Sequence, residues 1–128
     1  MKKIYQLAQI IADELEGEFG SLEDTCTTAN AVLRAVLKMV GHHNRLVRIE
    51  GTVTIDGDEF DHEWAEYDGE VIDITAAQFA TGEAEEYRRE GENADWPHLS
   101  ATEMEEIETI KRGVLDTILE TSISEYVD

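Results

Sequence analysis

Apolar residues recur along this chain at two spacings, and the change from one to the other marks out its elements. Ile4, Leu7, Ile11 and Leu15 stand three and four apart, one stripe of an amphipathic helix over residues 3–16 that Gly17 and Gly20 bring to an end. Ser21-Leu22-Glu23-Asp24 opens a second helix, with Ser21 or Asp24 placed to cap it and Gly41 to close it. Cys26, Asn30, Leu33, Leu37 and Val40 share one face of that helix, the face that meets a core.

The period then drops to two. Residues 46–55 (LVRIEGTVTI) are rich in β-branched side chains and read as a strand. Asp56-Gly57 and Asp68-Gly69 are two-residue hairpin signals, so 59–67 and 70–75 are the second and third strands of an antiparallel meander. Residues 76–97 have weak periodicity and read as a loop with room for a short helix. Ser100 with Glu103 forms a capping box for a last helix over about 101–119, striped by Met104, Ile107, Val114 and Ile118. The tail after it reads as frayed or as a short addition. One α+β domain over residues 1–128 is the expectation, a single core being natural for this length.

Hairpin arithmetic places side chains. If Asp68-Gly69 is a two-residue turn, Tyr67 faces Glu70, Trp64 faces Asp73 and His62 faces Thr75. If Asp56-Gly57 is another, Ile55 faces Asp58, Val53 faces Phe60 and Gly51 faces His62. His62, Trp64, Asp73, Thr75, Val47, Ile49 and Val53 then share one face, mostly apolar, and a helix is expected to cover it. His62 and Asp73 are diagonal neighbours on it, within reach of a hydrogen bond. Gly51 leaves space opposite His62. The other face carries Arg48, Glu50, Thr52, Thr54 and Glu63 and reads as wet, although Ile72 and Ile74 fall on it too.

A Cys-bearing helix over a His- and Asp-bearing sheet suggests nucleophilic chemistry. The helix N-terminus stabilises a thiolate at Cys26, His62 can take its proton, and Asp73 can fix the imidazole tautomer. The backbone N–H of Cys26 is a first oxyanion donor, and Gln6, Gln9 and Gln78 are candidates for a second. Glu23 and Asp24 oppose the thiolate by their charge. A buried structural thiol is the alternative for Cys26, and core packing the alternative for Trp64. Gln78-Phe79 also suits a structural role.

Cys26 before a helix, HEWAEY on one strand and VIDIT followed by AQF on the next together resemble the transglutaminase-like branch of the papain-like cysteine enzymes, over roughly residues 20–80. The resemblance implies a papain-like core, Cys26 as nucleophile, His62 as general base and Asp73 as orienting acid. Trp64 and Gly51 would border the substrate. It implies thiol-dependent acyl transfer or amide hydrolysis on a protein or peptide, by a peptidase, deamidase or transglutaminase. The chain is too short for the calcium sites of the larger cross-linking enzymes.

Charge and composition trim these readings. The net charge is −20, which repels phosphate backbones and argues against direct nucleic-acid binding. It suits a basic or neutral polypeptide substrate, or a non-catalytic acidic protein that occupies a basic partner. Solubility and a high-salt habitat are further explanations, the second weakened because Glu outnumbers Asp two to one. The single cysteine excludes an internal disulfide. His42, His43, His62 and His98 match no zinc-ligand spacing, and no phosphate loop is present, so neither metal nor cofactor is expected. The N-terminus does not read as a signal peptide and no apolar run suits a bilayer, which points to the cytoplasm.

Overall fold

A computed structural model describes residues 3–22, 25–55, 57–75, 86–93, 96, 99–118 and 120–127. Its helices are α1 (Lys3–Phe19), α2 (Cys26–Lys38) and α3 (Ala101–Thr117), and its strands are β1 (Leu46–Ile55), β2 (Asp58–Tyr67), β3 (Glu70–Ile72) and β4 (Glu86–Asn93). The class is α+β, and the strands form one curled antiparallel sheet in the order β3-β2-β1-β4. No helix among the described residues is long and apolar enough to cross a membrane.

The local signals act as their chemistry dictates. Ile4, Leu7, Ile11 and Leu15 are all buried on α1. The Ser100 side chain accepts from the Glu103 N–H while the Glu103 carboxylate accepts from the Ser100 N–H, so the capping box starts α3 as expected. Both hairpins have the expected register, Ile55 opposite Asp58, Gly51 opposite His62, and Tyr67 opposite Glu70. Asp68 and Gly69 take the positive φ that a tight hairpin turn demands (51° and 82°).

Three expectations fail and a fourth, left between two alternatives, is decided. The segment assigned to a loop contains β4, which adds to the free edge of β1. Its residues, EYRREGEN, are charged and suit an edge strand that must stay soluble, so they lack the apolar alternation of a half-buried one. The third strand stops at Ile72, so Asp73, Ile74 and Thr75 lie beyond the ladder. Of the two alternatives for the tail, the short addition is the one that forms: Glu120–Tyr126 is a 3-10 segment, and Ile123 and Val127 are buried in the core. The N-cap of α2 is Thr25, whose hydroxyl donates to the Leu22 carbonyl, and Asp24 lies outside the described residues.

The larger departure is which face the helices cover. The main core joins α1, α2 and α3 to Leu46, Ala65, Tyr67, Ile72 and Ile74, the row expected to be wet. Ile49, Val53, Ile55 and Trp64 form a second cluster on the opposite face, with Val47, Val71 and Tyr87 against it. Curling makes both faces apolar. Trp64 of β2 and Tyr87 of β4 meet edge-on at 5.1 Å between ring centroids, though β1 runs between their strands. The Tyr87 hydroxyl donates to Asp73 at 2.8 Å, linking the two outer edges of the sheet. In a flat sheet those edges would stand ~14 Å apart, at about 4.8 Å per strand. The sheet therefore folds its His62 face inward, and among the described residues that face packs on itself.

A bulge promotes the curl. Glu50 pairs with Gly91 and Gly51 with Arg89, so β4 holds one residue more than β1 across this step. Extra residues increase local twist, and a glycine opposite accommodates the kink.

Candidate functional site

Two polar networks occupy the two faces of β2. Because side chains alternate, His62 points into the concave face and Glu63 toward α2.

On the concave face the His62 Nε2 lies 3.0 and 2.9 Å from the two Asp73 carboxylate oxygens. A carboxylate only accepts, so Nε2 carries the proton. Tyr87 donates to the same carboxylate, and the His62 ring tilts against Trp64 at 6.1 Å. The two side chains are 2% and 5% exposed, so the pair is buried. Burial, and then the adjacent Asp73 charge, push the Tyr87 hydroxyl well above its ordinary range. Trp64 is buried too, at 1% exposure, as a core residue of the second cluster.

On the helix face Glu63 accepts from Arg48 at 2.7 Å, from Asn30 at 2.8 Å and from Thr27 at 3.5 Å. Arg48 also reaches Glu50 at 3.0 Å. Burial alone would lower the Arg48 pKa, but Glu63 and Glu50 outweigh it and leave the guanidinium more firmly protonated than usual. Asn30 explains itself here: a polar residue on the core face of α2 that has a buried carboxylate to satisfy.

Cys26 belongs to this second network. Its thiol is half-buried in the first turn of α2, against Glu63 and Thr27. Burial, and then the Glu63 charge, raise its pKa, while hydrogen bonds from Thr27 and the Glu63 backbone oppose them without prevailing. The structure thus brings His62 to Asp73 and does not bring Cys26 to either. Gly51 pairs with His62 as expected. Gln78, the further oxyanion candidate, lies outside the described residues, as do Phe79, Glu23, Asp24 and His98.

A cleft of about 580 Å³ runs between α1 and the chain beyond β3, lined by Tyr5, Gln6, Gln9, Asp73, Ile74 and Tyr126 among others. Gln6 and Gln9 thus stand near Asp73 rather than around the thiol. Among the described residues no cluster of three or more metal-ligating side chains forms. Sequence reasoning missed the Arg48–Glu63–Asn30 network and the Tyr87 bond. Asn30 in an otherwise apolar stripe was the available signal for the first. Tyr87 sits in a segment with no periodicity to place it.

No protein-family model, no curated protein and no solved structure matches this chain.

Proposed function

We propose that this chain is a non-catalytic acidic binding protein that engages a basic polypeptide surface. The observation that carries the reading is, among the described residues, a set of exposed, unpaired carboxylates on two helices that pack together. Helices α1 and α3 pack together, with the Glu14 carboxylate so close to Gly113 that a side chain there would displace it. α1 exposes Asp13, Glu16 and Glu18, and α3 exposes Glu103, Glu105 and Asp116. Among the described residues none of these six carboxylates has an ion-pair partner, whereas Arg45, Arg48, Arg88 and Lys111 are each already paired with an acid. Such a surface attracts cations over a range that salt shortens, about 10 Å at 0.1 M. The cytoplasm, where basic nucleic-acid-binding proteins abound, suits the reading.

The test is a titration with matched Lys-rich and Glu-rich peptides at low and high salt. The Lys-rich peptide should bind and weaken steeply with salt, and Glu103→Lys with Glu105→Lys should weaken it further at fixed salt. Equal binding of the two peptides, or binding indifferent to salt, would assign the charge to solubility.

Thiol-dependent acyl transfer on a papain-like, transglutaminase-like core is the second reading. One observation favours it: the His62–Asp73 bond forms where hairpin register places it. It needs the Cys26 thiol to leave Glu63 and reach the imidazole on the other face of β2, and it needs the buried pair to become accessible to substrate.

A further inference from the structure

Away from both networks, α2 and α3 diverge around a cleft of about 280 Å³. Its floor is apolar, with Ala31 and Ala35 from α2, Ile107 from α3, and Leu99. Met104 stands at the cleft 59% exposed, a large apolar side chain left in water. Two of the protein's 10 lysines and arginines, Arg34 and Lys38, line the same cleft, on a chain of net charge −20.

Arg34 is the unusual group. Its guanidinium stacks over the Trp96 ring at 5.2 Å from the centroid. Its Nε is buried without a hydrogen-bond partner, and among the described residues no carboxylate pairs with it. That situation is costly for a planar cation with five donors, and acids are plentiful in this sequence. Among the described residues the only carboxylate lining the cleft, Glu108, is paired instead with Lys111 at 3.3 Å. Stacking on an aromatic ring leaves the edge of a guanidinium available for a bidentate anion.

We propose that this cleft binds a compact apolar monocarboxylate, its carboxylate on Arg34 and its apolar body against Ile107, Leu99 and Met104. The volume fits roughly ten non-hydrogen atoms, at about 20–30 Å³ each. A phosphate-bearing ligand is disfavoured because its second negative charge would meet Glu108 and the acidic field of the whole protein. Lys38, exposed at the rim, offsets that field for a single charge.

The probe is octanoate, followed by calorimetry and by tryptophan fluorescence on the full chain, with 1-octanol and octylamine as the neutral and charge-reversed controls. Octanoate should bind saturably below about 10 mM, a modest demand for ten atoms. Octylamine should not bind, and the fluorescence change should vanish in Trp96→Phe, because Trp64 lies in the other cluster. Arg34→Gln should weaken octanoate at least about tenfold and leave octanol unchanged, as expected for one charge-assisted contact. If Arg34→Gln does not fold, Met104→Glu serves, since an exposed position tolerates it and a carboxylate at the cleft should exclude octanoate. No saturable binding, octanol binding as tightly as octanoate, or Met104→Glu binding octanoate as the wild type does would each overturn the assignment.

Discussion

Glu63→Gln exposes what the helix face of the sheet depends on. The Glu63 and Arg48 side chains are 12% and 10% exposed, and their contact of 2.7 Å is the shortest hydrogen bond in that network. Removing one member of a buried ion pair costs about 3–5 kcal/mol, because the other charge stays desolvated and unmatched. Two features reduce this. Glutamine keeps an oxygen that can accept from Arg48 or Asn30, and Glu50 still reaches Arg48 at 3.0 Å from a position 58% exposed. The expected loss is therefore about 2–3 kcal/mol. Glu63→Leu, which removes every acceptor, should reach the upper end of the range. Arg48→Met with Glu63→Leu should recover most of that loss, because neither charge is then left behind. Urea unfolding by circular dichroism and by fluorescence measures all four, with exposed Glu105→Gln as the control for removing one negative charge, expected within about 0.5 kcal/mol. If Glu63→Gln costs no more than Glu105→Gln, or if the double variant loses the sum of its single losses, the network does not hold α2 to the sheet as described.

Tyr87→Phe should destabilise by roughly 1.5–3 kcal/mol, the range for a hydrogen bond to a charged acceptor, and the loss should shrink in an Asp73→Asn background, where that acceptor is neutral; urea midpoints decide it. Stability should also fall in alkali. Cys26 and Tyr87 both have folded-state pKa values raised above their ordinary 9.0 and 10.0, so the folded protein holds protons that the unfolded chain releases. Their contribution is complete below pH 9 and is lost as pH rises from there toward the folded values. Melting temperatures between pH 8 and pH 11 should drop, and Cys26→Ala should flatten the first part of that drop; a flat profile would mean neither group is held protonated.

Much of this fold was legible because local chemistry decided it. The α1 stripe, the Ser100–Glu103 box and the two Asp-Gly turns each act within a few residues, and the turns fixed the register across β1, β2 and β3. That register was enough to pair His62 with Asp73. The side of the sheet the helices would choose was less local. Counting polar residues made the Arg48–Glu63 face wet, but these two charges cancel each other and so can be buried together. Ile72 and Ile74, at odds with a wet face, were the residues that told the truth about it. The curl that buries the other face comes from β4 and its bulge, and β4 has an edge strand's charged sequence. With the faces exchanged, Cys26 went with Glu63, and the three residues that sequence had brought together became two separate networks.

The rate of Cys26 alkylation by iodoacetamide against pH reads directly whether the thiol is separate from His62 and Asp73. A thiol raised by burial and by Glu63 should be inert at pH 6 and react only above the ordinary range, beyond about pH 9. Its profile should be unmoved by His62→Ala or Asp73→Asn, and Glu63→Gln should shift it to lower pH. Rapid alkylation at pH 6 that disappears with His62→Ala would show a thiolate poised by the imidazole, and would return this protein to the cysteine enzymes.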